Sequence, residues 1–242
     1  MKKKTNKKVL ILGASSDIGI EILKIYLKNN YFIIAHYSKG NQKFFDFIKK
    51  NESKIKKTKF NFISNYNKIE NFLKKKEHLS ADVIVNALGY VQQIDYNNLK
   101  ISDIDKSFKV NLYPGIYLTS RVGEEMIKKK WGRIVNLGSI GVKFGGGMSN
   151  LPYSLSKFGS EFFPNNTKKW IKDNVFINTL RVGATNTKLH KNLPSKNLKK
   201  RADLIPIKRM ANPKEIAEFV FFIGSEKNTY ISHQVISISG GE

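Results

Sequence analysis

Cysteine is absent from the 242-residue sequence, which excludes a disulfide framework and thiolate chemistry. No run of 18 apolar residues occurs, so no membrane span is expected. The basic start, residues 1–7, leads into only a short apolar run without a convincing cleavage site, and we interpret it as a surface tail rather than a signal peptide. These features predict a cytoplasmic protein, and no metal site is expected.

Arginine is scarce, although the chain carries a formal net charge of +24. Arginine occurs at five positions, so lysine supplies 38 of the 43 basic residues, scattered among many Asn, Ile and Phe as an A/T-rich genome would produce. Proteins that bind bases and phosphates favour the planar fork of arginine. The composition therefore predicts no specific nucleic-acid partner, whereas attraction to anionic substrates agrees better with the charge.

Short apolar segments alternate with amphipathic ones along the whole chain, and no repeat or linker divides them. The predicted strands are residues 8–13, 31–36, 59–64, 82–89, 132–139, 175–183 and 234–241. Helices are predicted after the first and fifth strands and at 41–57, 66–78, 101–130 and 213–224, with Pro114 interrupting the long one. This alternation is typical of a single doubly wound, Rossmann-type α/β domain, with a mostly parallel seven-stranded sheet and helices on both faces.

A glycine-rich turn joins the first predicted strand to the first predicted helix. It reads Gly13-Ala14-Ser15-Ser16-Asp17-Ile18-Gly19. The first glycine permits a tight turn, the last lets helix and strand approach, and the helix N-terminus would face a pyrophosphate. Because the spacing is G-x3-D-x-G rather than G-x-G-x-x-G, the motif alone does not establish dinucleotide binding.

The end of the second predicted strand bears on the type of cofactor. It reads His36-Tyr37-Ser38-Lys39, without the carboxylate that would hold the ribose 2′-hydroxyl of NAD. Ser38 and Lys39 would instead bind a 2′-phosphate, which favours NADP(H) over NAD(H). The alternative interpretation of these residues is an ordinary polar loop.

A tyrosine and a lysine stand four residues apart after the fifth predicted strand. On a helix, Tyr153 and Lys157 would lie on one face, and a nearby ammonium favours the ionised form of a phenol. Ser139, at the end of that strand, would present a hydroxyl to the same point. Such a pair alone is common on amphipathic helices as a purely structural feature, but together with the glycine turn it predicts a proton-transfer centre.

Taken together, these motifs resemble the short-chain dehydrogenase/reductases over essentially the whole chain, from Lys8 to Gly241. The glycine turn resembles the cofactor loop of that family, with Asp17 where a third glycine is frequent, and NALG at 86–89 resembles its Asn-Asn-Ala-Gly element. The C-terminal segments are similar to those of the 3-oxoacyl-carrier-protein reductase branch. The residues that match the catalytic tetrad are Asn111, Ser139, Tyr153 and Lys157.

The resemblance implies an oxidoreductase that reduces a ketone or oxidises a secondary alcohol by hydride transfer. Tyr153 would act as general acid or base, and Lys157 would lower the pKa of that phenol and bind the nicotinamide ribose. Ser139 would hydrogen-bond the substrate oxygen, and Asn111 would hold a water that links Lys157 to solvent. The cofactor contacts implied by the resemblance are Gly13, Ser15, Ser16, Asp17, Ile18, Gly19, Tyr37, Ser38, Lys39, Asn86, Ala87, Gly89, Tyr153, Lys157, Gly183, Thr185 and Thr187.

Three positions depart from the pattern of the family. Phe62 stands where an adenine-contacting Asp is frequent, and His233 stands where a glycine is common. Pro164 falls inside the predicted Tyr153 helix and should bend it. That helix often forms an oligomer interface in the family, so a homodimer or homotetramer is expected.

The polar segment 184–205 is predicted to be a lid that determines the substrate. Its basic residues are Lys188, His190, Lys191, Lys196, Lys199, Lys200 and Arg201. They favour an anionic substrate, either an acyl-carrier-protein thioester or a nucleotide-activated sugar. The run 128–130, three lysines, would receive an acidic carrier protein or would simply be a solvated helix C-terminus. A function of another class stays open, namely a non-catalytic cofactor sensor or nucleic-acid-associated protein.

Overall fold

A computed structural model of the chain describes residues 7–188 and 198–242. Within these residues the strands are β1 Lys8–Leu12, β2 Phe32–Tyr37, β3 Ile55–Lys59, β4 Val83–Asn86, β5 Gly132–Leu137, β6 Val175–Val182 and β7 Gln234–Ile238. They form one parallel sheet in the order β3-β2-β1-β4-β5-β6-β7. The predicted doubly wound α/β architecture is confirmed.

Helices cover both faces of the sheet. They are α1 Asp17–Lys28, α2 Gln42–Lys49, α3 Tyr66–Leu73, α4 Lys76–Leu79, α5 Ile101–Asn111, α6 Tyr113–Lys128, α7 Leu151–Gly159, α8 Leu198–Asp203 and α9 Pro213–Ile223. Short 3₁₀ helices span Tyr96–Asn98, Ile140–Phe144 and Asn165–Asp173. In the part of the chain that the structure describes, no helix has both the length and the apolarity needed to cross a membrane.

The core consists of two layers, one on each side of the sheet, and β1 contributes to both. Val9 and Ile11 pack with α1 and α9, whereas Leu10 and Leu12 pack with α3 and α6. Since successive side chains of a strand point to opposite faces, a strand buried on both sides must be apolar at every position. This explains the continuous apolar run in the sequence.

The predicted third strand was wrong by about four residues. The apolar segment at 59–64 is not the strand; β3 is the polar sequence Ile55–Lys59 at the edge of the sheet. An edge strand needs few apolar residues, and only Ile55 and Thr58 are buried in it. The apolar signal belongs to the segment after the strand, where Phe62 is buried against Phe72.

Several predicted helices are shorter than the sequence indicated. The helices at 41–57 and 66–78 end earlier, at Lys49 and Leu73, and the second is followed by α4. The predicted long helix at 101–130 is two helices that break at Leu112, because Pro114 lies in the first turn of α6, where a missing N–H costs no helical bond.

Pro164 does not bend the Tyr153 helix. That helix, α7, ends at Gly159, and Pro164 lies beyond it as the residue that precedes the 3₁₀ helix Asn165–Asp173. Proline fits this position because the first N–H groups of a helix have no helical partner. The expected bend in the helix is therefore absent, because the helix has ended before Pro164.

Strand register brings the functional segments to one edge of the sheet. Leu12 of β1 is level with Asn86 of β4, which is level with Asn136 of β5. The segments that follow these three strands therefore emerge side by side at their carboxyl ends. In open α/β sheets this is the edge at which ligands bind.

Candidate active site

The glycine turn is held by close backbone contacts. Gly13 has φ +80°, and a Cβ atom there would lie 2.7 Å from the carbonyl oxygen of Ala87, just after β4. A Cβ atom on Gly19 would lie 2.4 Å from the carbonyl oxygen of Gly13. Ser16 caps α1, since its hydroxyl accepts from the Gly19 N–H at 3.0 Å. Both glycines are therefore required by the fold of the turn, as the sequence predicted.

The turn is also attached to the end of β2. The Ser15 hydroxyl donates to the carbonyl oxygen of Lys39 at 2.7 Å. The Lys39 side chain is exposed and Ser38 is partly buried beside it, whereas the ring of Tyr37 packs against Phe44. Ser38 and Lys39 thus lie next to the turn, Lys39 exposed and Ser38 partly buried.

The segment after β6 reaches the turn from the other side. The Asp17 carboxylate accepts from the Lys188 N–H at 2.7 Å, and Asp17 and Thr187 line one recess of about 300 Å³. The buried Thr185 hydroxyl donates to the carbonyl oxygen of Gly183 at 2.9 Å, which shapes this segment. Of the predicted cofactor residues after β6, Thr187 therefore lies beside Asp17 of the glycine turn.

The structure fits a dinucleotide at this edge. The glycines bring backbone rather than side chains to the surface of the turn, and α1 begins there with its unpaired N–H groups. Gly89, after β4, is exposed, and a Cβ atom there would meet nothing within 4 Å, which indicates open space beside the turn. Asn86 and Ala87 support this edge from β4, with the Asn86 Oδ1 atom accepting from the Leu88 N–H at 3.4 Å.

The side chains of Tyr153, Ser139 and Lys157 meet in one corner at the ends of β4 and β5. Tyr153 and Lys157 are one turn apart on α7, with the Lys157 Nζ atom 5.9 Å from the centre of the Tyr153 ring. Ser139 caps the 3₁₀ helix that follows β5, and its hydroxyl is near enough to the Tyr153 phenol to lower the pKa of that phenol. The sequence predicted that these three side chains would lie together from the Tyr153–Lys157 spacing in combination with the family resemblance.

Lys157 is buried in this corner. Its ammonium donates to the carbonyl oxygens of Leu88, at 2.8 Å, and Leu137, at 2.6 Å. Burial lowers the pKa of Lys157 to about 8. Because an ammonium carries three N–H donors, one remains for a further partner such as a ribose hydroxyl.

The pKa of Tyr153 differs from the expectation. Burial raises the pKa of the phenol above its ordinary value, and the nearby Ser139 hydroxyl opposes this rise only in part. The expected lowering by Lys157 does not dominate, because the ammonium is directed at the carbonyls of Leu88 and Leu137 rather than at the phenol oxygen. Tyr153 is therefore protonated at neutral pH and can donate.

Asn111 has a different set of contacts from the one that the resemblance implied. Its side-chain amide donates to the carbonyl oxygen of Tyr90 and to the Ser156 hydroxyl, both at 2.9 Å, and accepts from the Tyr90 N–H at 2.8 Å. Both amide N–H groups are used, so this side chain ties α7 to the segment after β4. A water on the side chain would have only the remaining acceptor site of the oxygen.

Other residues near the site were missed by sequence reasoning. The ring of His36 contacts the glycine turn, Ser156 binds Asn111, and Arg181 of β6 forms a two-point ion pair with Glu161 after α7, both N–O distances being 2.7 Å. Only His36 gave a signal, as a single polar residue in an otherwise apolar strand.

The departures from the family pattern have local explanations. His233 has φ +57°, a left-handed conformation that favours glycine and costs other residues roughly 1–2 kcal/mol. Its ring offsets this by hydrogen bonds with Thr167 at 2.8 Å and Ser232 at 2.9 Å. Phe62 is a buried core residue, so its side chain serves packing.

The basic residues of the predicted lid and of the lysine run at 128–130 are not all free to bind an anionic substrate. Residues 189–197, with His190, Lys191 and Lys196, lie outside the described residues, and Arg201 is paired with Glu242. The three lysines of the run also have acidic partners: Lys128 pairs with Glu125, Lys129 with Asp82 and Lys130 with Asp173. The run is therefore a set of surface ion pairs.

Comparison with known proteins agrees with this geometry. A family model described as enoyl-(acyl carrier protein) reductase matches residues 13–242. The chain is 30% identical to a 3-oxoacyl-[acyl-carrier-protein] reductase of Buchnera aphidicola subsp. Schizaphis graminum, over 97% of this chain and 96% of that protein. The chain belongs to the short-chain dehydrogenase/reductase family.

A second relative and a solved structure are also similar to this chain. The 3-oxoacyl-[acyl-carrier-protein] reductase of Thermotoga maritima is 30% identical over 97% of each chain. Among solved structures, a 3-oxoacyl (acyl-carrier-protein) reductase of Agrobacterium tumefaciens with NADP bound shares the fold, with a TM-score of 0.85, 19% identity and coverage of 98% of this chain and 94% of that one. As a short-chain dehydrogenase/reductase, the protein is an oxidoreductase.

Proposed function

We propose that the protein is an NADP(H)-dependent reductase of a 3-oxoacyl thioester, with Tyr153 as the general acid. The observation that carries this proposal is the buried corner in which the Tyr153 phenol, the Ser139 hydroxyl and the Lys157 ammonium meet beside the glycine turn. It contains a proton donor, a second hydrogen-bond donor and a cation at one point.

The side chains of this corner manage the proton and the charge. Tyr153, protonated at neutral pH, donates to the carbonyl oxygen of the substrate, and Ser139 hydrogen-bonds the same oxygen where negative charge develops. Lys157, held by the carbonyl oxygens of Leu88 and Leu137, would offer its third N–H to a ribose hydroxyl of the bound nucleotide. Asn111 holds α7 against the segment after β4. In the reverse direction Tyr153 accepts the proton of an alcohol.

The glycine turn and its neighbours would hold the nucleotide. Residues 13–19 would bind the pyrophosphate through backbone N–H groups, and Ser38 and Lys39 would bind the 2′-phosphate. Asn86, Ala87 and Gly89 would border the cofactor on the β4 side, and Gly183, Thr185 and Thr187 on the β6 side. When bound, the nicotinamide supplies the hydride that reduces the carbonyl carbon.

The substrate class is supported by the names of the relatives and by the charge. The relatives at 30% identity are 3-oxoacyl-[acyl-carrier-protein] reductases. A net charge of +24 attracts an anionic carrier or thioester as a general field rather than through Lys128–Lys130, since these lysines are paired within the chain. A nucleotide-activated sugar is the alternative anionic substrate.

We also propose a homo-oligomer, dimer or tetramer, that acts in the cytoplasm. The exposed face of α7 and the segment after it carry Leu155, Phe158 and Phe162, with exposed fractions of 41%, 60% and 77%. Apolar side chains this exposed and this close together are typical of a protein interface.

The test is turnover of NADPH with an acetoacetyl thioester by the wild type and by Tyr153→Phe. Loss of the general acid is expected to lower kcat by about 10²–10⁴-fold with little change in NADPH affinity. Tyr117→Phe is the matched control, because the phenol of Tyr117, on α6, donates to Glu70 of α3 at 3.2 Å and not to a residue of the candidate site. Full turnover by Tyr153→Phe would refute its assignment, and reduction of a nucleotide-sugar ketone but not of the thioester would favour the alternative substrate.

A further inference from the structure

The buried His36 at the end of β2 contacts the glycine turn at two consecutive residues. The ring Nδ1 atom accepts from the Gly13 N–H at 3.2 Å, and the His36 carbonyl oxygen accepts from the Ala14 N–H at 2.8 Å. The other ring nitrogen, Nε2, lies 3.0 Å from the carbonyl oxygen of Phe60. One residue thus connects the turn, β2 and the segment after β3.

These contacts define the state of the ring. Because Gly13 donates an N–H, Nδ1 must be the unprotonated acceptor, and Nε2 must carry the hydrogen that is donated to Phe60. His36 is 1% exposed and packs against the rings of Phe62 and Phe72, with centroids at 5.0 and 5.4 Å. Burial lowers the pKa of His36 to about 4, so the neutral ring that the contacts require is the form present at pH 7.

We infer that His36 is a positioning residue for the nucleotide-binding turn, acting through the bond between its Nδ1 atom and the Gly13 N–H. Gly13 accepts the hydroxyl of Ser16 at 2.9 Å, and Ser16 in turn caps α1, so the position of Gly13 sets the start of the helix. A displaced Gly13 N–H would also be a partly buried donor without a partner. This role rests on the proposed function, since it takes the turn as the nucleotide site.

Two substitutions separate the two ring nitrogens. The amide oxygen of His36→Asn can occupy the place of Nδ1 and accept from Gly13, whereas His36→Gln reaches the place of Nε2 and leaves the Gly13 N–H unpaired. The dissociation constant for NADPH, measured by fluorescence titration, is expected to rise about tenfold in His36→Gln and to stay within about threefold of wild type in His36→Asn. No change in kcat at saturating NADPH is expected in either variant.

The second readout does not need the nucleotide. Amide hydrogen exchange of the peptide that covers residues 10–20 is expected to accelerate in His36→Gln and to stay slow in His36→Asn. His78→Gln is the matched control, because His78 is equally buried and its ring packs against the same Phe72, with ring centroids 4.7 Å apart, but it belongs to α4. If the role of His36 is specific, His78→Gln removes a buried imidazole but leaves the NADPH affinity unchanged.

The outcomes distinguish this role from the proposed function. Equal NADPH affinity in wild type and His36→Gln with unchanged exchange would overturn the role of His36, as would equal weakening in His36→Gln, His36→Asn and His78→Gln. Failure of the wild type to bind NADPH or NADH would instead refute the proposed function, and the exchange measurement would still decide whether His36 holds the turn.

Discussion

Lys39 is one of the two residues on which the proposed preference for NADP(H) over NAD(H) rests. Its side chain is exposed at the end of β2, while its carbonyl oxygen is fixed by the Ser15 hydroxyl. No carboxylate precedes it in residues 36–39, so the ribose 2′-position of a bound nucleotide would meet a hydroxyl and an ammonium. These residues are the basis for proposing NADP(H).

Reversal of this charge is expected to change the nucleotide preference. Lys39→Asp should raise the dissociation constant for NADPH about tenfold relative to that for NADH, since it replaces an exposed ion pair by a repulsion. Fluorescence titration with both nucleotides measures this ratio. Lys50→Asp, an equal charge change on the exposed residue after α2, should leave the ratio unchanged. A wild type that prefers NADH would contradict the assignment of Ser38 and Lys39.

At this scale the sequence predicted what depends on local spacing. Tyr153 and Lys157 are one helical turn apart, which their spacing predicts, whereas the placement of Ser139 beside them was expected from the family resemblance. The partners of Lys157 were not predictable, because they are the carbonyls of Leu88, in the segment after β4, and Leu137, at the end of β5. The raised pKa of Tyr153 has the same origin, since burial is a property of the tertiary structure.

The helix that carries the reactive pair, α7, is short and depends on contacts at its end. After Gly159, the Ser160 carbonyl oxygen accepts from the Thr179 hydroxyl at 2.7 Å, and Glu161 is paired through two bonds with Arg181. The Glu161 side chain is only 7% exposed. The end of α7 is therefore held on β6 by a desolvated carboxylate and its arginine.

Removal of this arginine is expected to destabilise the protein strongly. Arg181→Met leaves Glu161 buried without its partner, and the free energy of unfolding should fall by about 3 kcal/mol. Urea unfolding measures the change. Arg209→Met is the matched control, because the pair between Arg209 and Glu215 is about half exposed and should contribute less than about 1 kcal/mol. Equal losses in the two variants would show that the pair at α7 is not special.

The sequence predicted the existence of most elements but not all of their bounds. Strands buried on both faces give continuous apolar runs; β1 was located within one residue, whereas β4 ends at Asn86, three residues before its predicted end. The edge strand β3 is polar because little of it is buried, so the apolar residues that follow it were mistaken for the strand. The early end of α7 has no strong local signal, since the contacts that hold it come from β6.

On the scale of the whole molecule, two buried histidines link stability to pH. Burial lowers the pKa of His36 and of His78 to about 4, compared with 6.5 for the free side chain. Between pH 4 and pH 6.5 the unfolded chain binds more protons than the folded chain. The stability that the two histidines contribute is therefore fully present above pH 6.5 and is lost as the pH is lowered towards 4. The charged or titratable neighbours that influence this pair are each other, Glu77, Lys75 and Lys56.

Acidification is therefore expected to lower the free energy of unfolding before the carboxylates titrate. Each histidine should contribute a slope of up to about 1.4 kcal/mol per pH unit between pH 6.5 and 5. Urea unfolding at several pH values measures this slope, and His78→Leu should make it shallower. An identical slope in wild type and His78→Leu would contradict the contribution of the α4 histidine.

The tight backbone contacts of the glycine turn also limit how this enzyme can diverge during evolution. A methyl group on Gly13 or Gly19 would collide with a carbonyl oxygen at 2.7 or 2.4 Å, so mutation there damages the fold before it can alter nucleotide choice. The outer end of β2 has no such restriction. If Ser38 and Lys39 hold the 2′-phosphate as we propose, substitutions at these two positions would change the nucleotide preference with a smaller penalty in folding.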